Sequence, residues 1–257
     1  MKLSIVKIGG NVIENKDELS KFLLAFSQID GPKILVHGGG KLATELGKKL
    51  GIESKLVNGR RITDAQSLEL ITMVYGGLVN KKIVAELQSI NCNAIGLSGA
   101  DANVIKAYKR PVKEVDFGFV GDIKNVNSES INMFLGGGFV PVFCAISHDK
   151  KGQLLNTNAD TIASEIAIAM SKTHQTTLYY CFEKKGVLMD VNDDESVVKH
   201  IDSNTYKKLI TDGIITDGML PKLENCFNAL HKKVNKVCIG DIEMLSPEST
   251  LFTTITL

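Results

Sequence analysis

A chain of 257 residues, 44% hydrophobic and 23% charged, can bury the core of one large domain or of two intimate lobes, and its composition is that of an ordinary folded protein. Its formal charge of +1 gives no broad basic field, which argues against nucleic acid as a partner. No apolar run reaches membrane-spanning length and Met1-Lys2-Leu3 already opens a strand, so neither a span nor a signal peptide is expected and the cytoplasm is the expected location. Cys92, Cys144, Cys181, Cys226 and Cys238 form no CxxC pair and read as reduced thiols; the histidines lack metal-ligand spacing, and no metal site built from protein ligands is expected.

The apolar run Leu3–Ile8 predicts a buried strand that ends in Gly9-Gly10, a turn open to close approach by an anion, with Lys7 adding a point charge. Asn15 to Ile29 reads as a helix: Asn15 and Glu18 outline a capping box, and Leu19, Phe22, Leu23 and Phe26 form its apolar stripe. Gly31-Pro32 breaks it, Lys33–His37 repeats the strand, and Gly38-Gly39-Gly40 repeats the glycine turn before a helix over Lys41–Leu50. This β-α-β-α rhythm predicts a mainly parallel sheet covered by helices.

Asn58-Gly59 within Ser54–Thr63 signals a hairpin, and Asp64 caps a long helical region to about Ile90, interrupted near Gly76-Gly77. A buried strand follows at Asn93–Leu97, then turn-rich β structure over Val104–Val126 at the sheet edge, a short helix at Ser128–Leu135 and a core strand at Phe139–Ile146. Asn158 caps Ala159–Ser171, which is apolar on nearly every face and therefore expected to be central. Thr176–Phe182 is a strand, Gly186–Asp194 a charged loop, Ser203–Thr211 and Met219–Lys233 helices, and Lys236–Ile239 and Thr250–Leu257 the last strands. Two lobes, 1–172 and 173–257, would meet where polarity rises over Ser171–Gln175.

Three later stretches carry chemistry. In Asn58-Gly59-Arg60-Arg61-Ile62-Thr63 the arginines are either a solvated pair or a clamp on a carboxylate. Asn156-Thr157-Asn158-Ala159-Asp160 suits helix capping and equally suits holding a substrate and orienting lysines. In Ile214-Ile215-Thr216-Asp217-Gly218-Met219-Leu220-Pro221-Lys222, Pro221 fits a first helical turn. Lys222 there opposes the helix dipole by roughly 0.3–1 kcal/mol unless an anion binds, which favours an anion site.

Taken in order, KIGG at 7–10, HGGG at 37–40, NGRRIT at 58–63, NTNAD at 156–160 and GMLPK at 218–222 resemble the amino acid kinase family, and within it the branch that phosphorylates N-acylglutamates. The resemblance spans the whole chain. It implies a three-layer α/β/α sandwich around a mainly parallel open sheet, the carbamate kinase-like fold. The implied reaction is ATP-dependent, magnesium-assisted phosphorylation of the γ-carboxylate of an N-acyl-L-glutamate in arginine biosynthesis, N-acetyl-L-glutamate first, with N-succinyl-L-glutamate or an N-acyl-aminoadipate as alternatives. The N-terminal lobe would hold the acylated amino acid and the C-terminal lobe ATP. Carried over by motif, Lys7 and Lys222 would stabilise the phosphoryl group in flight, the Gly10 and Gly39 N–H groups would bind its oxygens, and Asp160 would align the lysines. Gly39, Gly40, Arg61, Asn156 and Asn158 would hold the substrate, with Arg61 on its α-carboxylate, and Gly186, Ile214, Ile215 and Thr216 would line the nucleotide site. The segment Cys181-Phe182-Glu183-Lys184-Lys185-Gly186 is larger and more charged than the family's loop there. In the family an added N-terminal helix accompanies arginine-inhibited hexamers, so the expectation here is a homodimer without arginine feedback.

A competing reading is an α/β-hydrolase, because His37–Gly40 resembles an esterase oxyanion loop and Gly96-Leu97-Ser98-Gly99 a nucleophile elbow, with Asp193 and His200 as nominal partners. The elbow fails at Ala100, and that reading leaves Lys7, NTNAD and Lys222 unexplained.

Overall fold

A computed structural model describes the chain except residues 58, 216–218 and 247. Strand β1 (Lys2–Ile8) runs into a one-turn helix α1 (Gly10–Glu14) and then α2 (Lys16–Ser27), followed by β2 (Lys33–His37) and α3 (Gly40–Lys49). Helix α1 was not anticipated, and it halves the expected capping box. The Asn15 side chain accepts from the N–H groups of Asp17 and Glu18, but its own N–H already bonds Asn11 O at 3.3 Å, leaving Glu18 nothing to return. The short hairpin β3 (Leu56–Val57) and β4 (Arg60–Arg61) leads to α4 (Ala65–Ile71), capped by Asp64 on Ser67 N at 2.8 Å. The expected interruption at Gly76-Gly77 is not a break. Residues Thr72–Val79 widen into a π-helix that continues as α5 (Asn80–Ser89), a wide turn that two glycines permit.

After β5 (Ala94–Leu97), strands β6 (Ile105–Lys109) and β7 (Gly121–Val126) pair antiparallel. They do not edge the main sheet as expected. With β9 (Ile146–His148) and β10 (Leu154–Asn156) they make a separate four-stranded sheet, β10-β9-β6-β7. The predicted single strand Phe139–Ile146 is therefore two: β8 (Val140–Cys144) stays in the main sheet, and the chain passes through Ala145 into β9. Between β7 and β8 lies α6 (Ser128–Gly136). Helix α7 (Ala159–Met170) precedes β11 (Gln175–Cys181), the brief β12 (His200–Ile201), α8 (Ser203–Thr211), α9 (Leu220–His231), β13 (Lys236–Gly240) and β14 (Thr253–Ile255), the last shorter than the closing strand expected over Thr250–Leu257.

The main sheet has the order β12-β14-β13-β11-β1-β2-β8-β5, parallel from β13 to β5. Only β14 turns against β13, and β12 follows β14. All five residues of β2 are buried, as a strand covered on both faces must be. Helix α7 crosses β1, β2 and β11 and packs on α9, while α5 packs on β5 and β8 with α2 against it. Ile8 pairs with both His37 and Cys181, Cys181 with Gly240, and His37 with Cys144, so five neighbouring strands end level at one edge of the sheet. From β1 the chain first builds rightward, then leftward from β11. That reversal is the switch point at which open parallel sheets leave a crevice beyond their carboxyl ends.

All five cysteines are free and buried. Burial pushes the thiols of Cys144 and Cys181 up to about 12 and that of Cys238 up to about 11. We expect native protein to react with less than about one equivalent of Ellman's reagent over minutes, and all five thiols to react once it is denatured. Rapid native titration of two or more would contradict this burial.

Candidate active site

At the crevice β1 delivers Lys7 one residue before its end, and Gly9 N then donates to Cys181 O at 3.0 Å, holding the turn across the tip of β11. The Lys7 ammonium lies 2.7 Å from Asp160 Oδ1, both side chains about one-fifth exposed or less. Asp160 sits in the first turn of α7, where a carboxylate is favoured by the positive end of the helix. Asn158 caps that helix, accepting from Asp160 N at 2.8 Å and Thr161 N at 3.1 Å, and the Tyr180 hydroxyl donates to the Asp160 backbone carbonyl at 3.1 Å. Because α9 packs on α7, Lys222 reaches the same place, its ammonium 4.9 Å from the centre of the Phe182 ring.

These residues open on a cleft of about 590 Å³. Among the described residues Lys41, Arg60, Arg61, Arg110 and Lys222 line it against one acid, Asp160. Arg61 is steadied by neutral acceptors: it donates to Gly40 O at 2.8 Å, to Thr44 Oγ1 at 2.6 Å and to Ser54 Oγ. Among the described residues no carboxylate pairs with it. Arg110, in contrast, is clamped to Asp122, with contacts of 2.6 and 3.0 Å to Oδ1. Asn156 donates to Thr63 Oγ1 at 3.0 Å. Such a cleft, lined by cations and amides, is built for a small polyanion.

Most of the sequence-nominated residues converge. Gly40, Arg61, Asn156, Asn158, Asp160 and Lys222 line the cleft, and Lys7 stands behind Asp160. Gly39, between Gly38 and Gly40, has φ +151 and packs so closely on Tyr75 that a Cβ would come within 2.9 Å of the ring. Gly10 opens α1, with nothing within 4 Å of a Cβ built there. The described nucleotide nominees, Gly186, Ile214 and Ile215, do not line this cleft. Gly186 packs against Thr253 and Val197, and Ile214 and Ile215 both donate to Leu209 O next to α8. Thr216 lies outside the described residues. Among the described residues no group of three or more His, Cys, Asp or Glu could hold a metal.

Sequence reasoning missed His37, Asn80, Tyr75 and Phe182 as parts of this place. The ring of Phe182 comes from the loop singled out as unusual. The signal for His37 is a polar residue closing an otherwise apolar strand, directly before three glycines. It is fully buried, with Nδ1 2.8 Å from Gly38 O and Nε2 3.0 Å from Asn80 Nδ2, whose other hydrogen goes to Val142 O at 2.9 Å. A carbonyl only accepts, so Nδ1 carries the proton and Nε2 accepts from Asn80.

The level strand ends and the cationic cleft at the switch point define a class: a parallel α/β protein that gathers small anions at the reversal of its sheet. The chain belongs to the amino acid kinase family, whose model matches residues 2–241. It is 56% identical over 238 residues to the acetylglutamate kinase of Phocaeicola vulgatus and 55% identical to that of Parabacteroides distasonis, covering 93% of both chains in each case. Carbamate kinase from Giardia lamblia bound to AMP-PNP has the same fold, with a TM-score of 0.73 at 11% identity, 99% of this chain and 98% of that one being covered. The protein is thus a kinase, and the hydrolase reading falls. Ser98 Oγ donates to Asp101 at 2.8 Å, and His200 lies on β12 at the opposite edge of the eight-stranded sheet, about 34 Å away by strand spacing.

Burial lowers the His37 pKa from 6.5 to about 4. As pH falls, the unfolded chain takes up a proton near 6.5 while the folded chain resists until about 4, so this contribution to stability is complete above 6.5 and drains away toward 4. Between pH 7 and pH 5 the loss should be about 2 kcal/mol in urea unfolding, and His37→Asn should remove most of that slope. An unchanged slope in the variant would show that His37 is not its source.

Proposed function

We propose that the protein transfers the γ-phosphoryl group of ATP to the γ-carboxylate of N-acetyl-L-glutamate, in the cytoplasm, as a step of arginine biosynthesis. The observation that carries this reading is the pairing of Lys7 with Asp160, which lines the same cleft as Lys222 and Arg61. The high identity to acetylglutamate kinases over nearly the whole chain supports the choice of substrate.

The acceptor carboxylate is already ionised near neutral pH, so neither a nucleophilic side chain nor a general base is required. One carboxylate oxygen forms the new P–O bond while the bond to the β-phosphate oxygen breaks, and ADP leaves with that electron pair. The obstacle is repulsion: two unit negative charges about 4 Å apart cost about 4 kcal/mol at an effective dielectric near 20. Lys7 and Lys222 offset this from two sides, Asp160 holds Lys7 in place, and the Gly10 and Gly39 N–H groups bind the moving oxygens. Arg61 takes the α-carboxylate, and Gly40, Asn156 and Asn158 hold the acylated amino acid. The ATP site falls to residues 173–257, including Gly186, Ile214, Ile215 and Thr216. Magnesium, which would neutralise phosphate charge, finds among the described residues of the cleft the single acid Asp160, engaged by Lys7, and would be held chiefly through phosphate oxygens and water. Met73 and Leu78, exposed on the π-helix, favour pairing of two copies there.

With ATP, Mg²⁺ and hydroxylamine, N-acetyl-L-glutamate should yield a trapped hydroxamate and free glutamate none. Lys7→Ala and Lys222→Ala should each lower kcat by about 10²–10³-fold with thermal midpoints within a few degrees of the parent. A folded, fully active Lys222→Ala would sink the assignment. Arg61→Ala should raise KM for the acylglutamate by about tenfold or more while leaving KM for ATP nearly unchanged; equal effects on both would remove Arg61 from the acyl site.

A further inference from the structure

In a trans peptide the C=O and N–H lie antiparallel in one plane, so whatever holds one of them orients the other. No described peptide bond of this chain is cis. In the turn after β2, the carbonyl of Gly38 is taken by His37 Nδ1 at 2.8 Å. The N–H of Gly39 belongs to that same peptide plane. It therefore faces away from the buried imidazole, and the residues on either side of it, Gly38 and Gly40, line the cleft. Among the described residues it meets no protein acceptor.

The ring that sets this direction is itself fixed. Asn80 donates to its Nε2 and to Val142 O on β8, and Asn80 Oδ1 accepts from Lys81 Nζ at 3.2 Å. On its other side the turn is backed by Tyr75, packed against Gly39 and within 3.6 Å of a Cβ built on Gly40. Filling the end of an apolar strand does not call for imidazole. A leucine would do so without burying polar atoms, and the histidine is needed only for the two hydrogen bonds it makes.

We propose that His37 is a positioning residue for phosphoryl transfer: through the Gly38 carbonyl it aims the Gly39 N–H at the group in flight. This rests on the reading above in which that N–H meets the transferred phosphoryl oxygens. His37 touches neither substrate. It acts by keeping a backbone donor aligned before the reaction, so that no reorganisation is needed when charge develops.

Two variants separate the hydrogen bonds. His37→Asn keeps an amide N–H near the position of Nδ1 and loses the link to Asn80. His37→Gln reaches toward Asn80 and loses the link to Gly38. In the hydroxamate assay His37→Gln should lower kcat by about 10- to 100-fold, with KM for N-acetyl-L-glutamate and ATP within about threefold of the parent. His37→Asn should restore most of that loss, although its fold is weakened as well. A role confined to stability would lower activity in both variants alike, and that result, or a His37→Gln with parental kcat at a temperature where it is folded, overturns the proposal. The Gly39 amide resonance of unliganded, ¹⁵N-glycine-labelled protein gives a readout independent of turnover. It should move in His37→Gln and stay near its parental position in His37→Asn. If the parent fails to phosphorylate N-acetyl-L-glutamate, the substrate reading fails on its own; an amide that moves equally in both variants, or in neither, refutes the aiming.

Discussion

The ion pair between Lys7 and Asp160 resolves the electrostatic problem on which the site depends. A cleft that must bring two anions together needs cations, yet cations crowded at the end of a buried strand repel one another and resist desolvation. One carboxylate in the first turn of α7 answers both difficulties, because the helix end favours its charge and its 2.7 Å contact fixes the ammonium of Lys7. The remaining cations are held in ways that preserve their charge for a ligand. Arg61 leans on a carbonyl and hydroxyls, and Lys222 rests over an aromatic face. Arg110 and Lys41 are the exceptions, paired with Asp122 and, at 3.6 Å, with Glu14, and they shape the wall more than they charge it.

The sheet places these groups by ending neighbouring strands at one level. Lys7 belongs to the first half of the chain and Lys222 to the second; β1 carries one, and α9, packed on α7, carries the other. The π-helical stretch beneath the glycine turn carries Tyr75 against Gly39 and hands on directly to Asn80 against His37. One wide turn therefore supports the same loop at two points, in keeping with the tendency of π segments to occur at functional places.

Local physics made much of this legible. Strand runs ended by glycine, apolar stripes at helical spacing and capping residues such as Asp64, Asn158 and Asn15 each declare themselves within a few residues, and each was read where it stands. What escaped depends on partners distant in sequence. The strands over Val104–Val126 were recognisable, but that β6 pairs with β9 instead of the main sheet is decided by the path through Ala145. The π stretch looked like an interruption because its glycines weaken a helix, and only packing against the glycine turn shows why it is kept. Arg61 was legible as a candidate cation for the cleft, but not the carbonyl and hydroxyls that hold it. His37 was read as part of a glycine motif, since its partner Asn80 lies 43 positions away.

The strand order also has a consequence for how the protein is made. β1 is made long before β11, its partner on one side, with Lys2 paired to Gln175 and Ile8 to Cys181. β2 can join one edge of β1 early, but the other edge waits for more than 160 residues of further synthesis, roughly ten to thirty seconds at ordinary translation rates. During that interval a buried-type strand presents an unpaired row of N–H and C=O groups, the feature that invites wrong pairing between chains. The nascent chain is thus most exposed to aggregation at the strand that carries Lys7, and chaperone demand should fall once β11 emerges.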